Sequence, residues 1–316
     1  MTKTHRCSLS EGVIYFMNNP KWEPLVSIII VNWNRCEDVI ETLENIQNLL
    51  YKNVEIIVVD NGSTDNSLKV LKNYKPHINL LALPLNLGCE DGNNVGILNA
   101  KGEVILFVDS DAGIEADGIS KLLESFNEDD SVGIVEPKII RPSDNKVLNE
   151  PENWPIRNTF TGCVVAIRAE VFRQIGLRPG DFFLYASEPD ICLRAIDHGF
   201  KIVHRSDIIG EHREAVTSRV NKRFYFFATR NFIWLIWRHY PLSSAIYETC
   251  LLLLIHFVRA GRHFAIHYYL QGLMAGIFGF KKHVIGVRRP LKRFHEARVF
   301  PGLKDLLKIT HKKIFK

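Results

Sequence analysis

Asp109 and Asp111, in the run VILFVDSDAG (104–113), stand one residue apart at the end of an apolar, strand-like segment. Carboxylates that close repel, and each raises the cost of ionising the other. In an extended chain, residues two apart project to the same side. The pair could therefore converge on a hard divalent cation, Mg2+ or Mn2+, which takes few protein ligands and completes its shell with phosphate oxygens and water. Two other readings use the same spacing: a phosphohydrolase whose first Asp attacks phosphorus, and a solvated Asp-Ser-Asp turn. The phosphohydrolase pattern wants Thr or Val two residues after the second Asp, near the first strand of its sheet. Here Gly113 fills that position and the pair follows the fourth apolar run.

The other polar candidates also sit where apolar runs end. Asp60 closes VEIIVVD and is followed by an Asn61-Gly62 turn, with Ser63 or Thr64 expected as a helix cap. An acid there can accept hydrogen bonds from a ribose or from the N–H of a uracil-type base. Asn34 follows the first apolar run and Asn86 the third. Ser187-x-x-Asp190 reads as a capping box, and Asp190 and Arg194 as an i,i+4 ion pair, which gives Asp190 a structural explanation.

Positioning these residues requires a sheet. Between 26 and 140, apolar runs (VSIIIV, VEIIVV, INLLALP, VILFV, VGIV) alternate with helix-like segments at 36–50, 65–74, 92–100 and 115–127. Unbroken apolar runs mean strands covered on both faces, as in a mostly parallel, Rossmann-like sheet with crossover helices. Ligands of such sheets bind beyond the carboxyl ends of the strands, where the candidates fall. A polar, Pro-containing stretch at 141–160 reads as a connection or lid, followed by a strand (GCVVAIR), a helix (AEVFRQIG), and a loop leading into another helix and strand. After about 216 come aromatic, Arg-rich helices. No uncharged run there reaches the roughly 20 residues of a spanning helix, so they read as amphipathic or core helices.

The chain has 316 residues, enough for a sizeable core, and a formal net charge of +5. That basicity is local: residues 281–316 hold 12 Lys and Arg against 2 Asp and Glu, so residues 1–280 are net acidic. Apolar helices followed by a basic tail suit peripheral docking on an anionic membrane; nucleic acid is not an expected partner. The six cysteines (7, 36, 89, 163, 192 and 250) show no metal-ligand spacing and suit a reducing cytoplasm, and the first residues carry no export-type apolar run.

Taken in order, VSIIIVNWNR (26–35), EIIVVDNGSTDNS (55–67), LNLGCEDGNNVGILNAKGE (85–103), VILFVDSDA (104–112), FFLYASEPDICLRAIDHGFKI (182–202), His212 and Arg230-Asn231 resemble the inverting family 2 glycosyltransferases of GT-A fold, in particular the rhamnosyltransferase-like enzymes of bacterial surface polysaccharides. The resemblance covers about residues 25–235. It implies an N-terminal extension (1–24), a GT-A domain (25–235) with a nucleotide-sugar half (25–113) and an acceptor half (114–235), and a helical, basic, membrane-associating region (236–316). It further implies a nucleotide-sugar site of Asn34, Asp60, Asn86, Asn94, Asp109 and Gly162. Asp109, Asp111 and His212 would hold Mg2+ or Mn2+ on the donor diphosphate. The partners would be a nucleoside-diphosphate sugar and a carbohydrate or lipid-linked acceptor, at the inner face of the plasma membrane.

Two departures stand out. Where the family has Glu-Asp-x-Asp-Leu-x-x-Arg, this chain has Ser187-Glu188-Pro189-Asp190-Ile191 leading to Arg194, which puts Glu188 in the place of the catalytic base and leaves Asp190 and Arg194 as structural or acceptor-side residues. Where the family has an apolar, Gly/Ala-rich run, this chain has Cys89-Glu90-Asp91; these acids read as solvated helix-start charges, or as contacts to sugar hydroxyls or to Lys and Arg. The altered base motif keeps two rival readings open: a polyprenyl-phosphate glycosyltransferase and a non-catalytic, sugar-nucleotide- or partner-binding relative.

Overall fold

A computed structural model describes residues 22–149, 158–213 and 222–297. The expected N-terminal extension up to residue 21, part of the expected lid (150–157) and most of the basic tail (298–316) lie outside the described residues. Every apolar run forms its strand: β1 (Val26–Asn32), β2 (Val54–Asp60), β3 (Asn79–Ala82), β4 (Val104–Val108) and β6 (Val132–Arg141). Helices α1 (Cys36–Gln47), α2 (Ser67–Lys72), α3 (Cys89–Asn99) and α4 (Gly118–Glu128) alternate with them. Around these lie β5 (Ala112–Ile114), β7 (Lys146–Val147), β8 (Val164–Arg168), α5 (Ala169–Ile175), α6 (Ser187–Asp197) and β9 (Lys201–His212).

The sheet runs β3-β2-β1-β4-β8-β6-β9-β5, with β7 on the flank of β6. Strands β3, β2, β1 and β4 are parallel; β8 then enters antiparallel between β4 and β6, and β5 pairs antiparallel with β9. Alternate residues of the same run feed opposite cores: Ile28 and Ile30 pack on the side of α1 and α4, whereas Ile29, Ile57, Ile105 and Phe107 pack with Ile191 of α6. This two-sided burial makes the runs continuously apolar.

A helical bundle follows: α7 (Arg223–His239), α8 (Leu242–Arg262), α9 (Ile266–His283) and α10 (Phe294–Ala297). α7 runs through residue 235, where the sequence reading sets its boundary, and its apolar face packs with Phe182, Ala186 and Leu193 from α6 and the loop before it. Against the expectation of no spanning segment, α8 is long and apolar enough to cross a membrane by length and composition: 21 residues, with a mean hydropathy of 1.4 in its best window. An uninterrupted run misses it because Arg259 and Arg262 crowd its last turn and Glu248 is buried against the bundle.

Candidate active site

Asp60 ends β2 directly opposite Asn32 in the β1–β2 register, and both are buried. Asn32 Nδ2 donates to Asp60 Oδ2 (3.2 Å) and to Ser63 Oγ (3.3 Å), and the Ser63 amide donates to Asp60 Oδ1 (3.1 Å). Gly62 makes the turn possible: its φ is +72°, and a Cβ there would lie 2.5 Å from the Leu85 backbone. The expected cap is corrected here. α2 begins at Ser67 without a side-chain cap, because Ser63 and Thr64 are occupied by the neighbouring loop. Asn34, at φ 54°, accepts from the Thr64 and Asp65 amides and braces that turn.

Asn86 and Asn94 are likewise engaged with protein groups. Asn86 Oδ1 accepts from the Gly88 amide and from Asn61, a buried residue the sequence reading did not single out. Asn94 pairs with both backbone groups of Arg178, accepting from its N–H (2.9 Å) and donating to its C=O (3.0 Å).

The two acids of VILFVDSDAG leave the end of β4 in different environments. Asp111 is buried; Arg35 Nη1 lies 2.7 Å from its Oδ2 and His212 Nε2 3.3 Å from its Oδ1. Burial alone would raise its pKa, but the hydrogen bond and charge of His212, with Arg35, hold it below the usual Asp value. Asp109 goes the other way: burial, opposed by His212 and reinforced by Asp111, pushes it up to about 7. The short β5–β9 pairing sets this geometry by placing Ala112 opposite His212, and the Arg213 amide closes it on the Asp111 carbonyl (2.8 Å).

Asp109, His212 and Cys163 offer ligand atoms within 4.8 Å of one another. Cys163 is far in sequence from both acids; only the β4–β8 pairing, which joins the Asp109 amide to the Cys163 carbonyl, brings it near. Its thiol is pushed well above its usual range by burial, with Asp109 and Asp111 adding, so it stays protonated. Asp111 lies outside that trio, its carboxylate taken by Arg35 and His212; a carboxylate and an imidazole suit a hard divalent cation, and the sulfur is its poorest partner. A cation would also offset the charge that burial disfavours on Asp109.

Glu188 lies across from these acids on the first turn of α6. Burial, with Glu90 adding and Arg178 opposing, pushes it up to about 7; Asp109 contributes in the same upward direction. Gly162 sits directly against it: its φ is +90°, and a Cβ there would lie 2.8 Å from Glu188 Oε1. The approach to α6 is left-handed at Phe183, Tyr185 and Ala186. Asn231 of α7 holds this loop by donating to the carbonyls of Phe182, Leu184 and Tyr185 (2.8–3.0 Å), and Arg230 donates to Phe182 O (2.7 Å).

Two expectations around α6 are corrected. The capping box does not form: the cap position is Ala186, the Ser187 hydroxyl accepts from Arg178 Nη2 (3.1 Å), and the Asp190 carboxylate is taken by Arg194 (2.6 Å) and His239 (2.7 Å). Burial would raise Asp190, but Arg194 and His239 hold it well below the carboxylate range. Of the two readings of Glu90, the solvated helix-start charge fails and the contact to Lys or Arg holds: it is 1% exposed and accepts from Arg178 Nε at 2.7 Å. Both departures in the sequence thus meet on one guanidinium, which no local pattern announces.

Comparison with known proteins gives a match to the Glycosyl transferase family 2 model over residues 27–192, just over half of the chain. The putative teichuronic acid biosynthesis glycosyltransferase TuaG of Bacillus subtilis is 26% identical over 157 residues, 46% of this chain and 62% of that protein. The chain spans 36–62% of the length of the first curated relatives it matches. Among solved structures, the mannosyltransferase PcManGT of Pyrobaculum calidifontis, in complex with GDP-Man and Mn2+, superposes with a TM-score of 0.58 at 19% identity, covering 94% of this chain and 81% of that one. S. aureus TarS 1-349, in complex with UDP-GlcNAc, superposes with a TM-score of 0.57 at 19% identity, covering 83% and 81%. The fold is that of the GT-A glycosyltransferases.

Proposed function

The chain belongs to glycosyl transferase family 2, and we propose that it transfers a sugar, with inversion, from a nucleoside diphosphate to a hydroxyl acceptor in cell-surface polysaccharide or glycolipid synthesis. The observation that carries the reading is the gathering of ionisable groups: Asp109, Cys163 and His212 cluster with Asp111 bound to His212, and Glu188, a carboxyl with raised proton affinity, lies close enough to Asp109 to feel its charge.

In this reading Asp60 and its Asn32 and Ser63 partners receive the nucleoside, and Asp109 and Asp111 face the diphosphate. A bound Mg2+ or Mn2+ supplies Lewis-acid stabilisation of the leaving diphosphate; Asp109, Asp111 and His212 would hold it. The acceptor oxygen attacks the anomeric carbon as the bond from that carbon to the diphosphate oxygen breaks. Glu188 takes the acceptor proton and the diphosphate leaves with the electron pair. Such proton removal contributes about 10²- to 10⁴-fold. The exposed apolar face of α8 and α9 supports the finer part of the proposal, peripheral association with the inner face of an anionic membrane, where a lipid-linked acceptor would be met.

Thermal-shift measurements with UDP-, GDP- and dTDP-sugars, with and without Mn2+, test the donor site. Stabilisation by one of them that needs the metal and vanishes in Asp111→Asn is the expected result. A folded protein indifferent to all of them would overturn the proposal.

A further inference from the structure

Arg178 is the most enclosed cation near the cleft. Its side chain is 4% exposed, its Nε donates to Glu90 at 2.7 Å, its Nη2 donates to Ser187 Oγ at 3.1 Å and lies 3.8 Å from Glu188 Oε1, and its guanidinium stacks over the Phe107 ring at 5.2 Å. Asn94 fixes its backbone through both N–H and C=O. Its Nε and Nη2 are thus both committed to protein groups. A buried ion pair is a poor way to gain stability, because desolvation offsets most of its attraction. Its placement beside Glu188 is what needs explaining.

We propose that Arg178, locked by Glu90 and Asn94, is a positioning residue for Glu188: its charge sits 3.8 Å from Glu188 Oε1, and Gly162, lacking a Cβ, leaves room for that same oxygen. The inference rests on Glu188 being the base. Glu90 and Arg178 bear on the same carboxylate with opposite sign, so the pair balances its charge while the guanidinium sets its direction. The other titratable groups that feel Glu188 among the described residues include Cys89 from α3 and Cys192 on α6, both thiols raised by burial, and Asp109 from the end of β4. Asp190 on α6 itself is neutralised by Arg194 and His239.

The test follows the Glu188 carboxyl directly, by ¹³C NMR titration of the full chain labelled at glutamate, with Glu188→Gln assigning the signal. Glu90→Gln is expected to lower the titration midpoint and Arg178→Lys, which loses the fork, to raise it, each by about one pH unit. Where transfer is measured, both variants should lower kcat at least tenfold while leaving donor KM within about twofold. Should either single variant fail to fold, Glu90→Gln with Arg178→Met removes both buried charges at similar volume, and Glu90→Gln with Ser187→Glu returns a carboxylate to the same guanidinium from its other neighbour. The first double variant should keep the kcat defect and the second should recover activity. Midpoints that do not move, or that move in the same direction, would overturn the proposal. Opposite shifts in a protein that transfers no sugar would support this positioning role and count against the function proposed above.

Discussion

A methyl group at position 162 would lie 2.8 Å from Glu188 Oε1, on a backbone with φ of +90°. Gly162→Ala should therefore push the carboxylate off its position and strain the turn by about 1–2 kcal/mol. The expected result is a fall in kcat of about 10- to 100-fold. A base works only when ionised, and Glu188 ionises at about 7. kcat/KM should then rise through neutral pH and level off above it, and Glu188→Gln should abolish that limb; a flat profile from pH 6 to 8 would count against this role. At this scale the sequence was a partial guide. Asp60, Asp109, Asp111 and Glu188 declare themselves by standing at element ends, whereas Arg178 and Cys163 do not, because what gives them meaning is a contact across 88 residues (to Glu90) and a strand pairing.

The strands and crossover helices of the nucleotide half were legible because burial on both faces writes itself into continuous apolar runs. The insertion of β8 between β4 and β6 was not, since pairing partners leave no mark on a strand's own composition. Nor was the knot beneath α6. Asp190 reads locally as a cap and an i,i+4 pair, yet it is His239, 49 residues on, that completes its surroundings and ties α6 to α7. Removing the buried carboxylate leaves Arg194 and His239 without their shared partner, so Asp190→Ala should cost about 3 kcal/mol, measured by denaturant unfolding. Because its carboxyl is depressed in the fold, its contribution is full above the unfolded Asp value of about 3.9 and is lost as pH falls through the lower folded value.

Among the described residues, α8 and α9 carry many of the exposed large apolar side chains. Leu254, Phe257, Phe264, Leu270, Ile277 and Phe278 are all at least 47% exposed on or between α8 and α9, and Lys281, Lys282 and Arg289 stand exposed beside their end. Apolar wedges with a basic margin match an anionic bilayer surface. Sedimentation with phosphatidylglycerol vesicles should retain the protein, with zwitterionic vesicles retaining less, and Phe264→Glu with Phe278→Glu should release it. High salt that strips the protein from vesicles distinguishes surface docking from insertion of α8.

The hold of Asn231 on Phe182, Leu184 and Tyr185 bears on how such chains can be recombined. The family match ends at residue 192, so an exchange of C-terminal halves between relatives would naturally be cut just beyond it. Cut there, the left-handed loop that carries Glu188 would inherit a foreign α7, and three carbonyls would depend on whatever amide that helix supplied. The heritable unit of the acceptor side is therefore discontinuous: residues 181–190 and the Arg230-Asn231 pair have to travel together, and a working chimera would be one whose junction falls after His239.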